Sequence, residues 1–210
     1  MLSFNECTLE MLDSTFGLKQ IRTSQSLQNL LDGEAELSDL EHNILLNFRE
    51  LLLINVDNWN EQELALNFIG PVFALINFTG ENFNLFADRL LKGVVDGIEM
   101  KGKPDSMIAS GWRVPKKPYF CFQEYKKEKD AEGDPAAQAL AAMLVSQEIN
   151  EHKIPVYGCY VRGRFWFFMV LKDKSYCISD AYTATKDDLF DIFRILKVLK
   201  QFVMEIAEQN

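Results

Sequence analysis

Two carboxylates in the middle of the chain have a spacing that suits the binding of a metal ion. Asp105 directly follows Pro104, and eighteen residues separate it from Glu124, which is followed by Tyr125 and Lys126. Carboxylate oxygens are the ligands that Mg²⁺ and Mn²⁺ prefer in proteins. The chemistry to consider is therefore that of a divalent cation, provided that the fold brings the two carboxylates together.

The hairpin expected to carry these residues has a register that places them on one face. A loop centred between Val114 and Pro115 sets Asp105 opposite Glu124. The same register pairs Met107 with Phe122 and Ala109 with Phe120. Lys126 shares the face of Glu124 because side chains alternate along a strand. Two opposed carboxylates destabilise a sheet unless positive charge lies between them, and one lysine supplies less than a divalent cation would.

The rest of the sequence predicts a mixed α/β order. Apolar periodicity and capping residues predict helices over Leu37–Ile54, from Asn60 through Ile76, over Glu81–Leu91, from Asp134 to Asn150 and over Lys186–Glu208. A period of two predicts strands over Val94–Met100, Pro104–Ser110, Pro118–Lys126, Pro155–Val161, Arg164–Leu171 and Ser175–Ser179. The first three strands would form a meander. Without a recognisable linker, this order describes a single α/β unit.

These motifs resemble the signature of the PD-(D/E)XK nuclease superfamily. Pro104-Asp105 and Glu124-Tyr125-Lys126 match its two central motifs, and Gln138 matches a glutamine of its second core helix. Glu61 matches a glutamate of its first core helix, with Glu63 as the alternative. The resemblance covers roughly residues 60–161. It implies a restriction-endonuclease-like mixed sheet of helix, three-strand meander, helix and further strands over 59–210, with an N-terminal helical extension at 1–58 and a C-terminal helix.

The resemblance also implies a function and a role for each residue. It implies a nuclease that hydrolyses phosphodiester bonds of nucleic acid, with DNA favoured over RNA. Mg²⁺ or Mn²⁺ would be bound by Asp105, Glu124, the backbone carbonyl of Tyr125 and Glu61, and would lower the pKa of a bound water. Lys126 would orient that water or stabilise the transition state. Gln138 would hold the lysine or a phosphate oxygen.

Each of these residues also has a purely structural interpretation. Asp105 can be a turn residue at the start of a strand, and Glu124 with Lys126 can form a surface ion pair of small energetic value. Glu61 can favour a helix N-terminus through the helix dipole, and Gln138 can be an ordinary helix residue. The same fold could then serve as a non-catalytic interaction or regulatory module, with a protein partner or as a homodimer.

The charge distribution limits how the chain can meet nucleic acid. It has 22 Lys and Arg against 31 Asp and Glu, a net charge of −9, which excludes binding through bulk positive charge. Positive charge predominates only over residues 92–129, so contacts to phosphates must be local. The candidates are Lys101, Lys103, Arg113, Lys116 and Lys117.

The remaining composition gives expectations about metals and location. The four cysteines lie far from one another and from both histidines, so we expect buried free thiols and no structural zinc. The N-terminus carries Glu6 and Glu10 where a secretory signal needs basic residues. No apolar run approaches the length of a membrane span. We therefore expect a cytoplasmic protein without a membrane partner.

Overall fold

Helices and strands alternate along the chain in the computed structural model, which describes residues 1–129 and 132–208. The helices are α1 (Leu9–Phe16), α2 (Gln25–Asp32), α3 (Asp39–Asn55), α4 (Glu61–Leu64), α5 (Gly70–Ile76), α6 (Pro135–Ile149) and α7 (Asp188–Glu208). A π-helical turn, Ala65–Ile69, joins α4 to α5, and Phe4–Glu6 is a 3₁₀ turn. The strands are β1 (Leu2–Ser3), β2 (Lys19–Gln20), β3 (Phe83–Ala87), β4 (Leu91–Val95), β5 (Ile98–Gly102), β6 (Ser106–Ser110), β7 (Lys116–Lys126), β8 (Val156–Arg162), β9 (Phe165–Lys172), β10 (Ser175–Ile178) and β11 (Tyr182–Thr183).

A mixed sheet forms the centre of the fold, so the prediction of a mixed α/β protein is confirmed. Its strands follow the order β2-β10-β9-β8-β7-β6-β3, and β11 pairs with β9. The strands β3, β6 and β7 are antiparallel neighbours. The chain then crosses through α6 to β8, which runs parallel to β7. A parallel pair needs such a crossover connection.

The helix α6 lies between this sheet and a smaller one of order β1-β5-β4. Every residue of α6 from Ala136 to Gln147 is buried, which suits a helix packed on several sides. Apolar side chains of both sheets surround it, including Met100, Met107 and Phe122. The opposite face of the large sheet packs against α2, α3, α5 and α7. Both faces of the large sheet are therefore covered.

Helix starts follow the predicted capping residues. The side chain of Asn60 accepts a hydrogen bond from the Glu63 N–H at 2.9 Å, and that of Asp134 accepts one from the Ala137 N–H at 3.1 Å. Ser38 caps α3 in the same way. The starts predicted at Asn60 and Asp134 are therefore confirmed, whereas α3 begins after Ser38 and not at the predicted Leu37.

Two predictions between residues 81 and 105 are wrong. The segment predicted as a helix over Glu81–Leu91 contains β3, which pairs with β6 along its whole length, because long-range pairing outweighs local helical preference. The segment predicted as one strand over Val94–Met100 is a hairpin. It turns at Asp96 and Gly97, whose φ angles of 48° and 81° suit a two-residue turn. The meander is consequently β3, β6 and β7, and the β4–β5 hairpin belongs to the smaller sheet.

The register of the β6–β7 hairpin agrees with the prediction at one end and differs at the other. Met107 pairs with Phe122 as predicted, but Ala109 lies opposite Tyr119 and not Phe120. A bulge between Ile108 and Ser110 shifts the register, as an extra residue on one strand does. The shift lies beyond Met107 on the side away from Asp105.

The first 58 residues are not only helical, because β1 pairs with β5 and β2 with β10.

All four cysteines are buried free thiols, as predicted. Within residues 1–129 and 132–208, no helix combines the length and apolarity that crossing a membrane requires.

Candidate active site

Asp105 and Glu124 meet at the end of the β6–β7 hairpin. Asp105 directly precedes β6, and its Oδ2 accepts a hydrogen bond of 2.6 Å from the backbone N–H of Tyr125. The two carboxyl groups also lie close enough for the charge of Asp105 to act directly on Glu124. On the other face of the hairpin, the hydroxyl groups of Ser106 and Tyr125 bond to each other. These bonds fix the start of β6 against the end of β7, so the two carboxyl groups have little freedom to separate.

Burial makes this pair costly to ionise fully. Glu124 is only 4% exposed, and burial raises its pKa well above the usual carboxyl range. The negative charge of Asp105 raises it further, whereas the charge of Lys126 lowers it. Burial also raises the pKa of Asp105, although the hydrogen bond from Tyr125 opposes that effect. Burial and mutual repulsion therefore both oppose full ionisation of the pair.

We predict that the raised pKa of Glu124 makes the protein without metal less stable as the pH rises. A carboxyl group with a raised pKa binds its proton more strongly in the folded chain, so stability falls as pH rises above its unfolded pKa, 4.5 for Glu124. Each unit of raised pKa corresponds to about 1.4 kcal/mol. In Glu124→Gln, which removes this titratable group, the free energy of unfolding should fall less between pH 5 and 8. Urea unfolding in a chelator measures both profiles, and parallel profiles would contradict the prediction.

Lys126 and Glu61 complete the cluster. The Nζ of Lys126 lies 3.7 Å from Oε1 of Glu61, and the Lys126 side chain is 14% exposed. The charge of Glu61 also acts on Asp105 and Glu124, raising the pKa of both. The alternative residue, Glu63, is exposed and accepts a hydrogen bond from the Asn60 N–H at 2.9 Å. Of the two predicted glutamates, Glu61 is therefore the one that the structure directs to the site.

An ion-pair network holds the start of α4 against the end of β7. Arg164 donates from its backbone N–H and from Nε to Glu128, at 2.8 and 2.9 Å. Its Nη2 donates to Asp57 at 3.0 Å, and Lys129 reaches the same Asp57 oxygen at 3.5 Å. Arg164 thus connects the segment before Glu61 to the segment after Lys126, which keeps those two side chains in contact.

We predict that Gly163→Ala disturbs this end of the site. Gly163 has a φ of +56°, and a Cβ there would lie 2.8 Å from the backbone Cα of Glu128. A positive φ alone costs roughly 1–3 kcal/mol, and the steric contact adds to it. Gly97→Ala is the matched control, since its φ is +81° with open space around the Cβ. Urea unfolding should show the larger loss for Gly163→Ala, and equal losses would contradict this.

Gln138 lies on the second turn of the helix that packs over this face of the sheet. It is buried, and its Nε2 lies close to Gly133, where a Cβ would come within 2.6 Å of it. The helix α6 contacts the same face that carries Met107 and Phe122, the neighbours of Asp105 and Glu124 along their strands. Gln138 thus packs against Gly133, just before the start of α6, on the face of the sheet that carries Asp105 and Glu124.

The donor atoms at the site suit a hard divalent cation. Asp105 and Glu124 supply two carboxylates whose mutual repulsion a cation would relieve. The N–H and C=O of one strand residue point to the same side, so the Tyr125 carbonyl faces the edge at which its N–H meets Asp105. Among the described residues, however, no three His, Cys, Asp or Glu side chains form a ready metal-binding group. The third predicted ligand, Glu61, contacts Lys126 instead.

The sequence reasoning missed Arg162, which lies beside Lys126. The two residues are direct partners in the parallel β7–β8 pair, so their side chains share a face. The adjacent Gly163 N–H donates to the Lys126 carbonyl at 2.9 Å. Arg162 is exposed, so its guanidinium is available to a phosphate group. The predicted strands leave Arg162 in the connection between Val161 and Arg164, and no local signal predicts which residue of β7 it adjoins.

The predicted phosphate-binding residues fall into two groups. Lys101 and Lys103 precede Asp105 closely, whereas Arg113, Lys116 and Lys117 lie at the opposite end of the β6–β7 hairpin. Lys116 is eight residues from Glu124 along β7, about 26 Å in an extended strand. An open cleft of about 440 Å³ adjoins the site at the start of α4, with Glu61 and Lys127 in its wall.

No known family model matches the chain, and no curated protein does so either. The residues of the site must therefore support a function by their own geometry.

Proposed function

We propose that the protein is a metal-dependent nuclease that hydrolyses phosphodiester bonds, with DNA as the favoured substrate. The observation that carries the proposal is the meeting of Asp105 and Glu124 with the Lys126–Glu61 pair at the end of one hairpin. The order of helix, three antiparallel strands, helix and parallel strand supports a restriction-endonuclease-like fold. A buried acidic pair of this kind destabilises the protein without a compensating cation, which favours a functional role over a structural one.

In this proposal each residue has a defined task. Asp105, Glu124 and the Tyr125 carbonyl would hold Mg²⁺ or Mn²⁺, which would supply a Lewis acid and an activated water when bound. Lys126 lies on the same face and stabilises negative charge that develops on the phosphate. Glu61 holds the Lys126 ammonium in position. Arg162 offers two parallel N–H groups to a phosphate oxygen pair.

The test is a cleavage assay on labelled single- and double-stranded DNA and RNA with Mg²⁺, Mn²⁺ or chelator. We expect cleavage only with metal, and its loss in Asp105→Asn. This variant keeps an oxygen that can accept the Tyr125 hydrogen bond, so its fold should persist. Thermal melting with and without metal provides a second readout. If the unmodified protein shows no metal-induced rise in melting temperature and no cleavage, the proposal is refuted and the non-catalytic interaction module is favoured.

A further inference from the structure

The exposed face of the β4–β5 hairpin carries basic side chains that oppose each other. Lys92 and Lys101 are direct partners in the antiparallel pair, and both are exposed. Like charges directly opposite each other destabilise a sheet. Neither lysine forms an ion pair with any residue that the structure describes. The hairpin thus keeps an unfavourable pair that a bound anion would stabilise.

This face leads directly to the candidate active site. Lys103 follows directly after the end of β5, where its Nζ lies 3.3 Å from Asp88, and Pro104 and Asp105 come next in the chain. The Asp88 N–H donates to the Asp105 carbonyl at 3.1 Å, so the hairpin starts and ends beside Asp105. Lys101 lies four positions before Asp105, about 13 Å for a fully extended chain, which is the length of roughly four base pairs.

Apolar surface accompanies the charge. Leu90 and Val94 are 57% and 53% exposed, and a groove of about 560 Å³ runs between them, Lys92, Lys101 and Met1. Over residues 88–103, the four basic residues against the acidic Asp88, Asp96 and Glu99 leave one positive charge in excess, four minus three. The hairpin surface is thus locally positive, although the whole chain has a net charge of −9. A flexible polyanion with apolar parts, such as a nucleic-acid strand, fits such a surface.

We infer that the exposed face of the β4–β5 hairpin binds the phosphate backbone of the nucleic acid and guides it to Asp105. The inference rests on the proposed function, because it names the surface that this substrate would contact. The basic residues at the far end of β7, Arg113, Lys116 and Lys117, have no role in this binding.

The test compares two double variants that remove the same charge. Lys92→Gln with Lys101→Gln changes the hairpin, and Arg113→Gln with Lys116→Gln changes the far end of β7. Fluorescence anisotropy with labelled single- and double-stranded DNA in chelator measures binding without cleavage. The hairpin variant should bind roughly tenfold more weakly, and its log–log salt dependence should be less steep by about two, one for each lost phosphate contact. The far-end variant should match the unmodified protein.

Thermal melting verifies the fold, since removing the opposed lysines should leave the melting temperature unchanged or raised. Equal losses in both variants, undiminished binding by the hairpin variant, or no DNA binding by the unmodified protein would overturn the inference. Binding to anionic lipid vesicles in place of DNA would overturn it as well. Cleavage with metal alongside undiminished binding by the hairpin variant would retain the proposed function alone. Selective loss of binding without any cleavage would retain the surface alone.

Discussion

Lys126→Ala is expected to reduce cleavage by roughly 10²–10³-fold, the usual effect of removing one group that stabilises transition-state charge. The Nζ of Lys126 lies 3.7 Å from Oε1 of Glu61, and the Lys126 side chain is only 14% exposed. Its ammonium group is therefore held at the site rather than in solvent. The charge of Lys126 lowers the pKa of Asp105 and Glu124, and its removal raises both. The measurement is therefore made at pH 8, where the carboxylates still lose their protons to a bound metal.

The control for this variant is a substitution that preserves the start of α4 and changes no residue of the site. Glu63→Gln preserves a side chain that can reach the Asn60 backbone, and Glu63 is directed to solvent. Its cleavage rate should stay near that of the unmodified protein. Retained cleavage in Lys126→Ala, with the metal-induced rise in melting temperature intact, would show that Lys126 does not act on the phosphate.

Local signals in the sequence predicted much of the site. Asn60 and Asp134 cap their helices with side chains that satisfy nearby backbone donors, and this requires no knowledge of the rest of the fold. The alternation of side chains placed Asp105, Glu124 and Lys126 on one face of a hairpin. The wrong pairing of Ala109 did not affect that result, because the bulge lies on the far side of Met107.

Long-range contacts account for what the sequence did not predict. Residues 83–87 form a strand only because β6 is available as a partner, so their local pattern misled the prediction of a helix. The pairing of Arg162 with Lys126 depends on how α6 docks and sets the parallel register of β7 and β8. The Arg164 network joins residues more than a hundred positions apart in the chain, such as Asp57. None of these contacts leaves a periodic signal in the sequence.

Asp105→Asn and Glu124→Gln should each abolish the rise in melting temperature that Mg²⁺ or Mn²⁺ produces. A ligand that binds only the folded chain stabilises it, by about 2.7 kcal/mol at a hundred times its dissociation constant. Buried carboxyl groups with raised pKa values must be deprotonated to bind a cation, so the stabilisation should increase with pH. Either substitution removes one of the two negative charges and one of the strongest oxygen ligands.

The two substitutions should also change the protein before metal is added. Without metal at pH 8, Glu124→Gln should melt above the unmodified protein, because a neutral amide replaces a buried group that repels Asp105. Glu124→Gln should therefore be more stable than the unmodified protein in chelator and should no longer be stabilised by metal. A purely structural acidic pair would not give both results. Melting curves over Mg²⁺ and Mn²⁺ titrations at pH 6 and 8 measure both effects. A metal-induced rise that survives in both variants would place the cation elsewhere in the protein and remove the basis for Asp105 and Glu124 as its ligands.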